Sequence, residues 1–160
     1  MVRAARRHPD ALFMGLDADP TRMRRASRHA PANALFVVAA AEALPWELDG
    51  WIGALSISFP WGSLLSGLIA PSPEILAGLR RVLRHGGTLT ALLSVTVHDG
   101  AEPLGPGSID RAAYAGAGLT VLDWRPATAA EVAAAESSWA KRLGAGDRRP
   151  VWRIRATRDR

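Results

Sequence analysis

The sequence predicts an α/β fold built on a doubly wound, parallel sheet covered by helices on both faces. Three observations predict it. Short apolar runs, among them Leu12–Leu16, Ala34–Ala41 and Trp51–Phe59, alternate with segments of helical spacing. The runs are close to continuously apolar, as strands buried on both faces are. Their carboxyl ends carry Asp17, Glu42 and Pro60-Trp61, and parallel sheets bind ligands at that end.

The elements follow in order. Arg3 to His8 reads as the end of a helix, stopped by Pro9-Asp10. The strand Leu12–Leu16 ends at Asp17-Ala18-Asp19. Pro20, with its fixed φ, opens a helix from Thr21 to His29. The strand Ala34–Ala41 ends near Glu42, and Trp51–Phe59 is a third. A helix over Pro73–Leu83 places Ile75, Leu76, Leu79, Val82 and Leu83 on one face, and Gly86-Gly87 stops it. Thr88–Val97 is a buried strand. Ser108 caps a helix that reaches Ala117 and closes on Gly116 and Gly118. Leu119–Trp124 is a strand. Thr128 caps a helix to about Leu143, with Glu131 at the capping-box position. In the last strand, Val151–Thr157, Trp152, Ile154 and Ala156 alternate with Val151, Arg153 and Arg155. The sequence shows neither repeat nor linker, so residues 1–160 read as one domain.

Composition narrows the function. Hydrophobic residues make up 48% and charged residues 22%, ordinary for a globular chain. The pI is near 11.1 and the formal charge +5, carried almost wholly by arginine, since Lys141 is the only lysine. Arginine forks onto phosphate and stacks on bases, which suits an RNA partner; GC-rich coding explains the same bias equally well. The lack of cysteine excludes disulfides, a thiol nucleophile and a cysteine-ligated metal. His8, His29, His85 and His98 lack metal-ligand spacing, so no metal is expected. The uncharged stretch Gly50–Pro73 is broken by Pro60 and Gly62-Ser63 and is not a membrane span. With no signal peptide at the basic amino terminus, the chain is expected in the cytoplasm.

Two tryptophans stand out. Trp61 lies in Ser58-Phe59-Pro60-Trp61-Gly62-Ser63, just past an apolar strand, and Trp139 lies in Glu136-Ser137-Ser138-Trp139-Ala140-Lys141-Arg142. Rings from remote segments can close on both faces of a nucleic-acid base; taken alone, either tryptophan reads first as core. Trp46, Trp51, Trp124 and Trp152 read as core or sheet-face residues. Asp17, at a strand end, suits the hydroxyls of a ribose or a turn cap, and Asp19 before Pro20 fits the cap better. Glu42 is either beside a bound ring or solvated.

The order of strands ending on Asp17, Glu42 and Pro60-Trp61, then Leu83-Arg84-His85-Gly86-Gly87, resembles the class I methyltransferases that use S-adenosylmethionine. Phe59-Pro60-Trp61-Gly62-Ser63-Leu64-Leu65, taken with Ser137-Ser138-Trp139-Ala140-Lys141-Arg142-Leu143, resembles a narrower group: the kanamycin–apramycin resistance methyltransferases that modify N1 of adenine-1408 in 16S ribosomal RNA. The resemblance runs from Ala5-Arg6 to the end of the chain. It implies a Rossmann-like fold and S-adenosylmethionine as cosubstrate. It implies that Asp17 holds the ribose and that Ala41 and Glu42 border the adenine. It places the Pro60 carbonyl at the reaction centre, with Trp61 and Trp139 around the flipped base. Ser137 then helps position the linker or the base, and Arg142 and Arg148 grip RNA phosphates. The partner implied is 16S rRNA in the 30S subunit, met by a monomer. Adenine N1 needs no general base, so the lack of a catalytic dyad is expected.

The family also implies a first strand and an Asp-x-Gly-x-Gly loop ahead of the helix at Met1–Arg7, and the chain has no such run. The lost strand would lie between those ending at Asp17 and Pro60. The expectation is a chain truncated at its amino terminus that binds S-adenosylmethionine poorly or not at all. Two other readings stay open: a non-catalytic RNA-binding remnant, and a methyltransferase for a small molecule.

Overall fold

Strand pairing sorts the chain into two sheets. A computed structural model describes residues 1–99, 101–137, 144–146 and 149–159. These fall into two units, Met1–Pro45 and Trp46–Arg160.

In the first unit α1 (Val2–Arg7) precedes β1 (Phe13–Asp17), α2 (Pro20–Ser27) and β2 (Ala34–Val38). Asp19 caps α2 by accepting from the Thr21 N–H, and Pro20 takes the first helical position, as the sequence predicts. β1 and β2 pair in parallel, with Asp17 opposite Val38. Asn33 ties the entry to this pair together: its amide nitrogen lies 3.0 Å from the Ala5 and His8 carbonyls and 2.8 Å from that of Ala11.

The second unit holds β3 (Ile52–Ser58), α3 (Gly62–Ile69), α4 (Pro73–Val82), β4 (Leu83–Leu93), α5 (Arg111–Gly116), β5 (Leu119–Pro126), α6 (Ala129–Ala134) and β6 (Trp152–Arg158). The sheet order is β3-β4-β6-β5. β4 is parallel to β3, but β6 is antiparallel to both β4 and β5. The sheet is therefore mixed, which corrects the all-parallel expectation. β4 and β5 are joined by a crossover through α5, and β6 enters the gap between them from the opposite direction. Central β4 and β6 carry the core: Leu83, Leu89, Ala91, Leu93, Ile154 and Ala156 have no exposed surface. Tyr114, equally buried, satisfies its hydroxyl on the Leu68 carbonyl at 2.8 Å, and burial pushes its pKa up.

Local chemistry overrode several expectations. α4 ends at Val82, within one residue of the expected Leu83, but Gly86-Gly87 do not stop it: β4 begins at once, and the glycines form a bulge where the register with β3 shifts. A Cβ on Gly87 would meet the Arg84 and Ile52 carbonyl oxygens at 2.8 and 2.9 Å, so the bulge requires glycine there. Beyond Leu93 the strand expected to reach Val97 gives way to a turn in which Asp99 accepts from the Thr96 N–H. The cap of α5 is Asp110, whose carboxylate takes both the Ala112 and Ala113 N–H groups; Ser108 accepts from Gly105 instead. α6 stops at Ala134, well short of Leu143, because Glu136 adopts φ 48° and folds back onto the Ala133 carbonyl. Trp124 and Trp152 stack in the core, 4.8 Å apart, as expected. Trp46 and Trp51 do not: they are 74% and 79% exposed on the turn before β3, where a short 3-10 segment and Gly50 at φ 72° direct the chain.

The capping box at Thr128 and Glu131 is present and anchors a larger network. Glu131 accepts a bidentate pair from Arg125 and a further bond from Arg153, which also binds Asp123 at 2.5 Å. The Arg125 hydrogen bonds, then the Thr128 N–H, hold the Glu131 carboxyl down to about 2 from 4.5. A pKa depressed on folding stabilises above the unfolded value and is lost as pH falls through the folded one. Glu131→Gln is therefore expected to cost about 1–3 kcal/mol near neutrality and to flatten the loss of stability between pH 4.5 and about 2, as read by urea titrations across that range.

Candidate active site

In the first unit Asp17 and the Ala41–Glu42 segment come together at one end of one sheet. Asp17 ends β1, opposite Val38, and the chain leaving β2 turns through a 3-10 segment at Ala41–Ala43. Asp17 is half-buried. Its Oδ1 accepts the Asp19 N–H at 2.9 Å, and among the described residues nothing donates to Oδ2. Asp19 is spent on its helix: it takes the Thr21 N–H and hydroxyl, which hold its carboxyl low, and pairs with Arg22. The two aspartates are thus distinguished as the sequence suggests, one capping and one with an acceptor to spare.

In the second unit the carboxyl end of β3 is strained. Phe59 is buried at φ 55°, a conformation costly for any residue with a Cβ, and Gly62 follows at φ 60°. Its cause is visible. The Phe59 N–H donates to the Leu92 carbonyl at 2.9 Å, and its ring joins Leu92, Val132 and Val151 in a buried cluster. Ring and amide together force the backbone to reverse. Pro60 then leaves the sheet and Trp61, the N-cap position of α3, stands 48% exposed. Side chains that cluster this way are worth roughly 1.5–3 kcal/mol each, enough to hold one residue in the left-handed region.

The same cluster receives both ends of the segment that carries Trp139. Ala135, just past α6, and Ala145, just before β6, pack against it. Ser137 is described and partly buried. Trp139, Arg142 and Arg148 lie outside the described residues.

One pair escaped the sequence reading. Arg149 binds Asp99 at 2.5 Å, with side chains only 13% and 14% exposed, and donates to the Ser94 hydroxyl and carbonyl. Burial alone would raise the Asp99 carboxyl, but the Thr96 N–H and the Arg149 guanidinium outweigh it and hold it below its usual value. The Ser94 hydroxyl in turn donates to the Pro150 carbonyl at 2.8 Å. The end of β4 is thereby fastened to the approach to β6. No signal in the sequence relates Asp99 to Arg149, which are joined only by strand order. Among the described residues no cluster of histidine, aspartate and glutamate could hold a metal ion, and no helix is long and apolar enough to cross a membrane.

Residues 1–158 match the family model described as NpmA, 16S rRNA (adenine(1408)-N(1))-methyltransferase. The chain is 41% identical over 160 aligned residues to the 16S rRNA (adenine(1408)-N(1))-methyltransferase of Streptoalloteichus hindustanus, covering 88% of this chain and 73% of that protein. It is 38% identical to the enzyme of the same description from Streptoalloteichus tenebrarius, with the same coverage. The crystal structure of the 16S rRNA methyltransferase KamB superposes with a TM-score of 0.83 at 34% identity, covering 99% of this chain and 82% of that one. A variant of the 16S rRNA (adenine(1408)-N(1))-methyltransferase from Catenulisporales acidiphilia, solved with its cosubstrate SAM, superposes with a TM-score of 0.85 at 26% identity, covering 99% and 80%.

Proposed function

By these matches the chain belongs to the 16S rRNA (adenine(1408)-N(1))-methyltransferase family, and we propose that it methylates N1 of that adenine in the 30S subunit, conferring aminoglycoside resistance in the cytoplasm. The single observation that carries the reading is the strained turn at Phe59, which presents Trp61 beside the cluster that also anchors both flanks of the Trp139 segment.

S-adenosylmethionine, when bound, supplies an electrophilic methyl group. The free Oδ2 of Asp17 is the acceptor a ribose hydroxyl needs, and Ala41 and Glu42 follow the neighbouring strand where its adenine would rest. Adenine N1 carries its own lone pair, so the chain has no proton to remove there; its work is to bind, orient and exclude water. Trp61 and Trp139 hold the extruded base between two rings, and each stacked face is worth roughly 1–3 kcal/mol against the cost of unstacking. Pro60 sets the position of Trp61 and offers its carbonyl to the base. Ser137 steadies the segment entering Trp139. Arg142 and Arg148 supply contacts to RNA phosphates, which position the enzyme without reading sequence.

Transfer of labelled methyl groups from S-adenosylmethionine to purified 30S subunits tests this. The expected result is incorporation into 16S rRNA that saturates at one site. Absence of incorporation under conditions where a solved relative is active would refute the proposal.

A further inference from the structure

At the end of the second unit's sheet opposite Phe59, the chain gathers arginines that the reaction does not use. β6 runs against β3 and β4, so its carboxyl end at Arg158 lies beside their amino ends, roughly 20 Å from the Phe59 turn along β3. A cavity of about 390 Å³ opens there, walled by Arg80, Arg81, Arg84, His85 and Arg158, with Asp49 the one carboxylate. Arg81 already engages Asp49. Arg158 is partly buried, yet among the described residues its guanidinium donates to the carbonyls of Leu83 and Arg81 and lies against the His85 ring nitrogen, its Nε has no acceptor, and no carboxylate pairs with it. Arg80 and Arg84 are exposed and have no carboxylate partner among the described residues. Four arginines thus line the cavity against a single carboxylate that Arg81 already engages, and a bound anion offsets the excess positive charge.

The backbone is shaped for this. The bulge at Gly86-Gly87 lifts Arg84 and His85 out of the ladder, and it exists only because Gly87 tolerates two carbonyl oxygens within 3 Å of where a Cβ would sit. The turn at Gly50, on the cavity wall, carries the exposed Trp51 and begins at the exposed Trp46. Arginines that fork onto phosphate, beside rings that accept any base, are the combination by which proteins track a single-stranded backbone.

We infer that this cavity binds backbone phosphates of RNA, with Trp51 stacking on an adjacent base, as a second contact on the ribosomal substrate remote from the target adenine. The inference rests on the RNA substrate proposed above. A free anion such as inorganic phosphate shares the guanidinium chemistry but has no use for the tryptophans.

The test is fluorescence polarisation with a labelled uridine oligonucleotide, which offers phosphates but no methyl acceptor, across a salt series. Arg80→Glu with Arg84→Glu should weaken binding about tenfold and lower the salt slope by about 1 to 2. Trp51→Ala should weaken it with the slope unchanged. Arg84→Gln alone serves if the double reversal fails to fold, as thermal melting will show, and should lower the slope by about 1. Unchanged affinity and slope in the arginine variants would overturn the inference. So would inorganic phosphate saturating the site while oligonucleotide binding ignores these arginines. Methyl transfer to 30S subunits by the parent protein separates the two readings. Transfer without arginine-dependent oligonucleotide binding sinks this site alone, and such binding without transfer sinks the proposed activity alone.

Discussion

Trp61→Ala is expected to lower methyl transfer to 30S subunits by about 10- to 100-fold while leaving thermal stability nearly unchanged. The magnitude follows from stacking, about 1–3 kcal/mol per base, with about 1.4 kcal/mol per decade of rate. The unchanged stability follows from exposure: Trp61 is 48% exposed and is not among the buried residues of the core. Trp139→Ala is expected to give the same loss, since the flanks of its segment pack on the cluster that seats Phe59. Steady-state methylation and thermal melting, measured together, check both variants. If Trp61→Ala unfolded, its ring would be a core element and would have no part in holding a base. Trp124, stacked on Trp152 and bonded to the Gly105 carbonyl, is the contrasting case: alanine there should cost about 3–5 kcal/mol.

The second large effect belongs to Asp99 and Arg149. Removing Asp99 strands a largely buried guanidinium against the Ser94 hydroxyl and carbonyl, and Asp99→Ala is expected to cost about 3 kcal/mol. The double variant with Arg149→Ala should recover part of that loss, because the stranded charge goes with it. The sign with pH is fixed. Asp99 is held below its usual value of 3.8, so its stabilisation is present above that pH and is lost as pH falls through the folded value. Denaturant titrations of the four proteins of the cycle near neutrality and in acid measure both. Equal stability of the parent and Asp99→Ala at neutral pH would show that the pair contributes nothing.

Much of the fold was legible where one local rule acted alone. Pro20 after Asp19, and Thr128 three residues before Glu131, carry helix-start chemistry within a few residues, and both helices start there. The alternation of Trp152, Ile154 and Ala156 with arginines declares a strand with one buried face. Legibility failed where tertiary geometry chose between local options. Gly86-Gly87 serves as well for a helix stop as for a bulge, and only pairing with β3 decides. Asp110 and Ser108 both suit a cap, and the carboxylate won by satisfying two N–H groups. Glu136 gives no sign that it will adopt φ 48° and end α6 early. Trp46 and Trp51 look like core because tryptophans are usually buried; their turn leaves them outside. Antiparallel β6 is invisible locally, since strand direction is a property of the partner.

The candidate site divides the same way. Trp61 is legible because Pro60 and Gly62 punctuate a strand end. The strain at Phe59 is not, because it arises from an amide and a ring that must both be satisfied on Leu92. Asp17 is separated from Asp19 by sequence alone, and the structure gives the reason: one carboxylate has an oxygen to spare.

Reverse transcription across 16S rRNA from treated 30S subunits probes the central claim at the reacting atom, because a methyl group on adenine N1 removes the acceptor that Watson–Crick pairing requires. The account predicts a stop at one adenine that depends on S-adenosylmethionine and that builds up about 10- to 100-fold more slowly with Trp61→Ala. Methyl incorporation with full read-through, or a stop that builds up at the parent rate in that variant, would contradict it.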